Sequence, residues 1–433
     1  MKVHERFLKY VMFDTMSDES SESRPSTQGQ RVFAQALCRE LEEMGISDIR
    51  LDQNGIVYGR IPSNCNEGPT ADTKNNAPKE IPVIGFIAHM DTVSAFPGPS
   101  KEHPPRLIEN YDGGIIKLNE EISLDPEKDD RLKQSIGRDI IVTDGSTLLG
   151  ADDKAGVAEI MTALEYIIKH PEFPHGDVAF SFTIDEEIGT GIECFDIDAL
   201  GADFAYTVDG TAFGEIEYEN FNGCSAEIEI KGFSTHPGEG KDKLINSLLL
   251  GMELADMLPA WKRPEHAQGR EGFYHLTEMT GNCDICQMRY IIREADKEIF
   301  KDMKDQLIRA AEYIERKYKG SQINVKIKES YSNMLEKIKP HMHLIKNAGE
   351  AIEELGTTPI SGLIRGATDG AVLSYKGLPC PNLGTGSFNH HSVREFVDVS
   401  QMEKSVELIL KIIGKFFGRI GCYTAGCCGG IGG

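Results

Sequence analysis

Three apolar runs, each ending in an acid or an imidazole, constrain this chain more than any other feature. Residues 81–91 read IPVIGFIAHMD, residues 177–187 read DVAFSFTIDEE, and YTVDGT closes a third such stretch at Asp209. A run with no polar alternation fits a strand buried on both faces, and such strands belong to sheets covered by helices on either side. The helical spacing of KAGVAEIMTALEYIIK, 154–169, supplies one such cover between the first two runs. The fold class expected is therefore α/β: a catalytic domain built on a mixed sheet covered by helices, with ligands at the carboxyl ends of its strands.

At 433 residues the chain exceeds one ordinary core. Apolar spacing of three and four predicts helices over 6–12 and 28–45, and IRLDQNGIVYGRI, with Asn54-Gly55 between alternating apolar residues, predicts a hairpin. The stretch at 63–80, rich in Asn, Thr, Pro and charge, reads as a solvent loop. From about Glu215 the texture changes to strand, helix at 243–257, strand at 284–293, helix at 297–318 and strand INVKIKES. This predicts an inserted α+β lid or dimerisation domain over 215–333 within a discontinuous catalytic domain of 1–214 and 334–420, followed by a flexible Gly/Cys tail at 421–433.

Composition narrows the partners. A net charge of -23 with no basic run repels phosphate backbones and anionic lipid, so neither nucleic acid nor membrane is expected. The opening MKVHERFLKYVMFD carries Lys2, Glu5, Arg6 and Lys9 and has no uninterrupted apolar core of a secretory leader, while VELILKIIGKFFGRIG is interrupted by charge and reads as an amphipathic helix. Ten cysteines without dense spacing point to reduced thiols and a cytoplasmic protein; the Cys283/Cys286 pair has no companion motif and reads as ordinary.

The chemistry lies at the run ends. His89 and Asp91 alternate onto one face, where the imidazole can ligate a metal and the carboxylate can hold its tautomer. In LLGADDKAG, Asp152 and Asp153 follow Gly150 at a helix start; one can cap the helix while the other remains free to bridge two cations. Asp185, Glu186 and Glu187 place three adjacent anions at a strand end, which repel unless cations neutralise them. With Asp209 and His391, the set His89, Asp152, Glu187, Asp209 and His391 suffices for two Zn²⁺ sharing one carboxylate.

The strings IGFIAHMDT, LLGADDKAG, DEEIGTG, GFSTHPG and IRGATDGAVLSYKGLPCPNLGTG, in this order, resemble the peptidase T family, tripeptide aminopeptidases of the two-zinc metallopeptidase superfamily that includes carboxypeptidase G and aminoacylase. The resemblance runs to about residue 418. It implies that His89 and Asp209 hold one zinc, Glu187 and His391 the other, and Asp152 both, with Glu186 as general base and Asp91 orienting His89. His391 is taken over His390 because H-S-x-x-E begins there. It further implies that His236 serves the oxyanion in a partner subunit's site, which makes a homodimer, and that Arg293, Arg365 and, more weakly, Asn282 meet the carboxylate of a short peptide. The long loop at 63–80 and the tail beyond Arg419 depart from the family pattern. Rival readings are a dipeptidase, an N-acyl amino acid amidohydrolase, and a metal-binding protein with a degenerate site.

Overall fold

The computed structural model describes residues 1–64, 81–100 and 102–421. The readings of the 63–80 loop and of the Gly/Cys tail fall almost wholly outside these. The chain divides into two compact units, one of residues 1–218, 337–362 and 368–433, the other of 219–336 and 363–367.

The first unit is built on an eight-stranded mixed sheet. Its strands run, edge to edge, Asp48–Leu51, Val57–Ile61, Val178–Thr183, Ile84–His89, Phe204–Gly210, Asn382–Gly384, Glu215–Asn220 and Ile360–Ile364. The four strands from Val178–Thr183 to Asn382–Gly384 are mutually parallel. Every residue of Ile84–His89 and Val178–Thr183 is buried, as unbroken apolar strands require when both sheet faces are covered. The fold class read from these runs is the one observed. The helices Val3–Tyr10, Ala151–Lys169, His343–Glu354 and Val399–Gly421 contribute to the same core as the strands, through Phe7, Ile160, Leu344 and Ile412 among others. The Asn54-Gly55 signal lies in the turn between the first two strands, with Gly55 at φ 99, a conformation that favours glycine. A smaller sheet in this unit, Ser387–Phe388, Phe396–Asp398, Ile140–Val142 and Arg106–Ile108, carries the histidine loop 389–395.

The second unit has a four-stranded antiparallel sheet ordered Phe273–Gly281, Ile285–Glu294, Asn222–Lys231 and Gln322–Tyr331. Helices Ser247–Met257 and Lys297–Lys317 pack their Leu250, Leu254, Leu307 and Ile314 against Ile228, Ile230 and Met288 of the strands. Sequence periodicity omits the strand Phe273–Gly281, an edge strand whose residues are mostly exposed, so its polar side chains mask the strand signal. The unit also begins later than 215: Ile216 and Glu217 pair with Leu383 and Asn382 in the large sheet, and that ladder holds the start of the strand in the first unit. Residues 334–336 and 363–367 join the second unit; Phe221 N–H donates to the Ile364 carbonyl and the Arg365 guanidinium donates to the carbonyls of Gly269 and Ala267.

The N-terminal helix is secured by a buried ion cluster. Arg6, 1% exposed, donates to Glu40 at 2.9 Å, to Glu165 at 2.8 Å and to the Thr162 hydroxyl at 2.6 Å. Lys169, Arg6 and the N-terminal ammonium overcome the effect of partial burial and hold the Glu165 carboxyl at about 2, below its ordinary 4.5. A carboxylate whose folded pKa is depressed stabilises the fold above the unfolded value and loses that contribution as pH falls through the folded one. Stability is therefore expected to decline between about pH 4.5 and 2, and Arg6→Ala, which leaves two carboxylates without their central partner, is expected to cost about 3–5 kcal/mol at neutral pH and to flatten that decline. Urea unfolding of both proteins across this pH range measures each effect.

Candidate metal centre

The carboxyl ends of the parallel strands bring the sequence-distant acids and imidazoles together. His89 ends one strand; Asp209 lies near the end of the next; Glu186 and Glu187 follow Val178–Thr183. Asp152 enters from the start of the helix Ala151–Lys169, where Gly150 sits at φ 73 and Asp152 itself is non-helical at φ -84, ψ 103; the Asp152–Asp153 peptide is cis. Departure from helical geometry turns the two adjacent aspartates to different tasks.

Asp152 is the meeting point. One of its oxygens lies 3.0 Å from His89 Nε2, and the other lies 3.2 Å from His391 Nε2 and 3.3 Å from His390 Nδ1. His89 Nε2 is also 3.4 Å from Asp209, and His391 Nε2 is 3.0 Å from Glu187. Ligand atoms about 2.0–2.1 Å from a tetrahedral ion are about 3.3–3.4 Å apart, so these separations match those of groups that share an ion. Two overlapping groups have ligand atoms close enough to share an ion, one of His89, Asp153 and Asp209, the other of His89, Asp152 and Glu187. Glu187 Oε1 is buried with no hydrogen-bond partner, the condition of an oxygen whose partner is a cation. Burial and the surrounding acids push Glu186 well above its ordinary value, raise Asp209, and bring Glu187 up to about 7. Against the effect of burial the neighbouring carboxylates raise His89 well above its ordinary value, and Asp152 and Glu187 bring His391 up to about 10; the set draws positive charge, and divalent cations fit it.

Three further carboxylates hold the backbone that bears these candidates, each with both oxygens. Asp91 accepts the N–H groups of Glu186 at 3.0 Å and Glu187 at 3.1 Å, and its oxygen lies 3.4 Å from His89 Nδ1. Asp153 accepts the N–H of His89 at 3.2 Å and of Gly156 at 3.1 Å. Glu395 accepts the N–H of Gly150 at 2.7 Å and of Asp152 at 3.0 Å. Sequence reasoning left Asp153 as an alternative to Asp152 and gave Glu395 no role; its signal was the spacing from His391, four residues earlier. Asp369 also went unread. It accepts the Thr183 hydroxyl at 2.8 Å, and burial together with Asp209 and Asp91 lifts its carboxyl to about 7. Asp185, read as part of the acidic triplet, faces elsewhere: it accepts the Ser26 N–H and hydroxyl and the Gln30 amide, at 2.8, 2.5 and 2.6 Å.

The remaining candidates lie in the second unit. His236 is exposed, and its Nδ1 accepts the Gly238 N–H at 3.2 Å, which leaves the proton of a neutral ring on Nε2. Arg293 donates to the Arg365 carbonyl at 2.9 Å, and its Nε is buried without a partner. Arg365 lies over the Phe221 and Phe273 rings. Asn282 Oδ1 accepts the N–H groups of Asp284 and Ile285 at 2.9 and 3.1 Å, closing the hairpin turn.

Comparison with known proteins places this geometry in a family. The family model described as Peptidase family M20/M25/M40 matches residues 145–415. Peptidase T of Caldanaerobacter subterraneus subsp. tengcongensis is 49% identical over 97% of this chain and 100% of its own length. The fold is shared with the aminopeptidase PepT of Bacillus cereus, at TM-score 0.74, 22% identity and coverage of 96% and 98% of the two chains, and with a tripeptidase from Staphylococcus aureus, at TM-score 0.73, 21% identity and the same coverages. On near-complete coverage at this identity, the chain belongs to the peptidase T proteins of peptidase family M20/M25/M40.

Proposed function

We propose that this peptidase is a two-zinc aminopeptidase that removes the N-terminal residue from short peptides, chiefly tripeptides. The observation that carries the reading is the Asp152 carboxylate, with His89 at 3.0 Å from one oxygen and His391 at 3.2 Å from the other. In this reading His89 and Asp209 would hold one Zn²⁺, Glu187 and His391 the second, and Asp152 would be shared by both. The tripeptidase and aminopeptidase names of the two structural neighbours agree with it.

When bound, the zinc pair supplies Lewis acidity, which polarises a carbonyl and acidifies water. The protein's own contribution centres on Glu186. Its backbone is fixed by Asp91, and burial among Asp209, Asp369 and Glu187 raises its proton affinity, so it suits the transfer of a proton from the attacking water to the leaving amine. Asp91 keeps the His89 ring oriented from its Nδ1 side. His236, with Nε2 free to donate, serves the developing oxyanion in a partner copy's site, and the working form is a homodimer.

Recognition of the peptide carboxylate falls first to Arg293, whose Nε has no other partner. Arg365 is engaged by the carbonyls of Gly269 and Ala267 and Asn282 by its own turn, and their part in binding is secondary. The compartment proposed is the cytoplasm: the six cysteines of the described residues are unpaired, and no helix among those residues is long and apolar enough to cross a membrane.

Glu186→Gln is expected to retain both metal ions and to hydrolyse a tripeptide about 10²- to 10⁴-fold more slowly; metal analysis and turnover on one sample test this, and near-normal turnover would remove Glu186 from the role. Peptide length separates the rival hydrolases. Leu-Gly-Gly is expected to be cleaved far faster than Leu-Gly or an N-acetyl amino acid, and a preference for either of the latter would replace the tripeptidase reading. Stripping metal with a chelator is expected to abolish activity and lower the melting temperature, with zinc at 100 times its dissociation constant restoring about 2.7 kcal/mol per site.

A further inference from the structure

We propose that Glu395 is a positioning residue that couples the two metal sites, by holding Asp152 in its bridging orientation from the same loop that carries His391. The inference rests on the two-zinc reading above. Glu395 is 1% exposed and reaches across 243 residues of sequence to accept the Gly150 and Asp152 N–H groups, at 2.7 and 3.0 Å. Donors at a helix start have no acceptor within the helix, and a carboxylate there is favoured by the helix dipole.

The turn that Glu395 holds is irregular. Gly150 is left-handed at φ 73 and Asp152 has ψ 103, far from the helical value, and this departure lets the Asp152 carboxylate face His89 with one oxygen and His391 with the other. Without Glu395 the two donors lose their acceptor, and the Asp152 backbone is no longer held from that side, so its carboxylate is free to turn away from one of the two imidazoles. His391 lies four residues earlier in the loop between Ser387–Phe388 and Phe396–Asp398. A cation held by His391 and Glu187 therefore orders the segment that carries Glu395. Glu395 in turn fixes the aspartate whose other oxygen serves the His89 side. Such coupling is reciprocal: loading either site favours the other.

The test is zinc titration of the chelator-stripped full-length protein against a competing chromophoric chelator, with Glu395→Gln beside the wild type. Glutamine keeps the volume and one acceptor oxygen but sets an amide against the second backbone donor. Expected are two ions bound with positive coupling by the wild type, and in E395Q an affinity about 10- to 100-fold weaker with the coupling lost. Glu40→Gln, whose carboxylate contacts Arg6 and Lys9, controls for general loss of stability and is expected to leave both constants unchanged. Should E395Q fail to fold, Glu395→Asp, which keeps the charge but withdraws it by one methylene, is expected to show the same weakened, uncoupled binding. Wild-type constants and coupling in a folded Glu395 variant, or equal effects of E395Q and E40Q, overturn the proposal while the two-zinc reading stands. Fewer than two ions on the wild type overturns both.

Discussion

The arrangement of this site depends on a single carboxylate reached by imidazoles from both sides. Asp152 is contacted by His89 and His391, which lie 63 and 239 residues from it in the chain, and Glu187 and Asp209 stand beyond them. Bringing this many acids into a buried space is unfavourable for the apoprotein, since each raises the proton affinity of the others. The same concentration of acids and imidazoles suits divalent charge. The position of Asp152 thus decides whether the surrounding groups form one centre or remain separate acidic ends of strands.

Parallel strands make the convergence geometrically simple. Neighbouring strands that run in the same direction end on the same side, so polar residues just past their apolar runs gather without any special loop. Two of the proposed ligands come from elsewhere. Asp152 enters at a helix start and His391 from a loop of the smaller sheet, and both need additional support. It comes from carboxylates that grip backbone: Asp91, Asp153 and Glu395 each receive two backbone N–H groups, and together they fix the turns bearing Glu186, Glu187, His89 and Asp152. Part of the acidity at this site therefore serves to shape the backbone.

The second unit follows a different logic. Its antiparallel sheet buries one face against two helices and leaves the other side of each strand to polar residues, as the alternating burial of Asn222–Lys231 and Ile285–Glu294 records. The return segment 363–367 is bound to it by Arg365, whose guanidinium donates to two carbonyls of the 267–269 loop and covers two aromatic rings. An arginine that resembles a substrate-binding position thus has a structural employment that no motif discloses.

Much was legible in the residues themselves. Unbroken apolar runs announced the doubly covered sheet, Asn54-Gly55 announced its hairpin, and the acids and imidazoles at the run ends announced the ligand candidates, because burial and local turn chemistry act on residues close in the chain. Three matters escaped. The edge strand Phe273–Gly281 carries too many exposed polar residues to give a strand signal; Asp185 is indistinguishable in sequence from Glu186 and Glu187 yet turns to Ser26 and Gln30; and Glu395 gains its meaning from a turn 243 residues away. Sequence determined which groups were available and on which elements they stood. Only the tertiary structure decided which carboxylates face inward and which grip backbone, because that choice depends on N–H donors supplied by segments that are remote in the chain and adjacent only after folding.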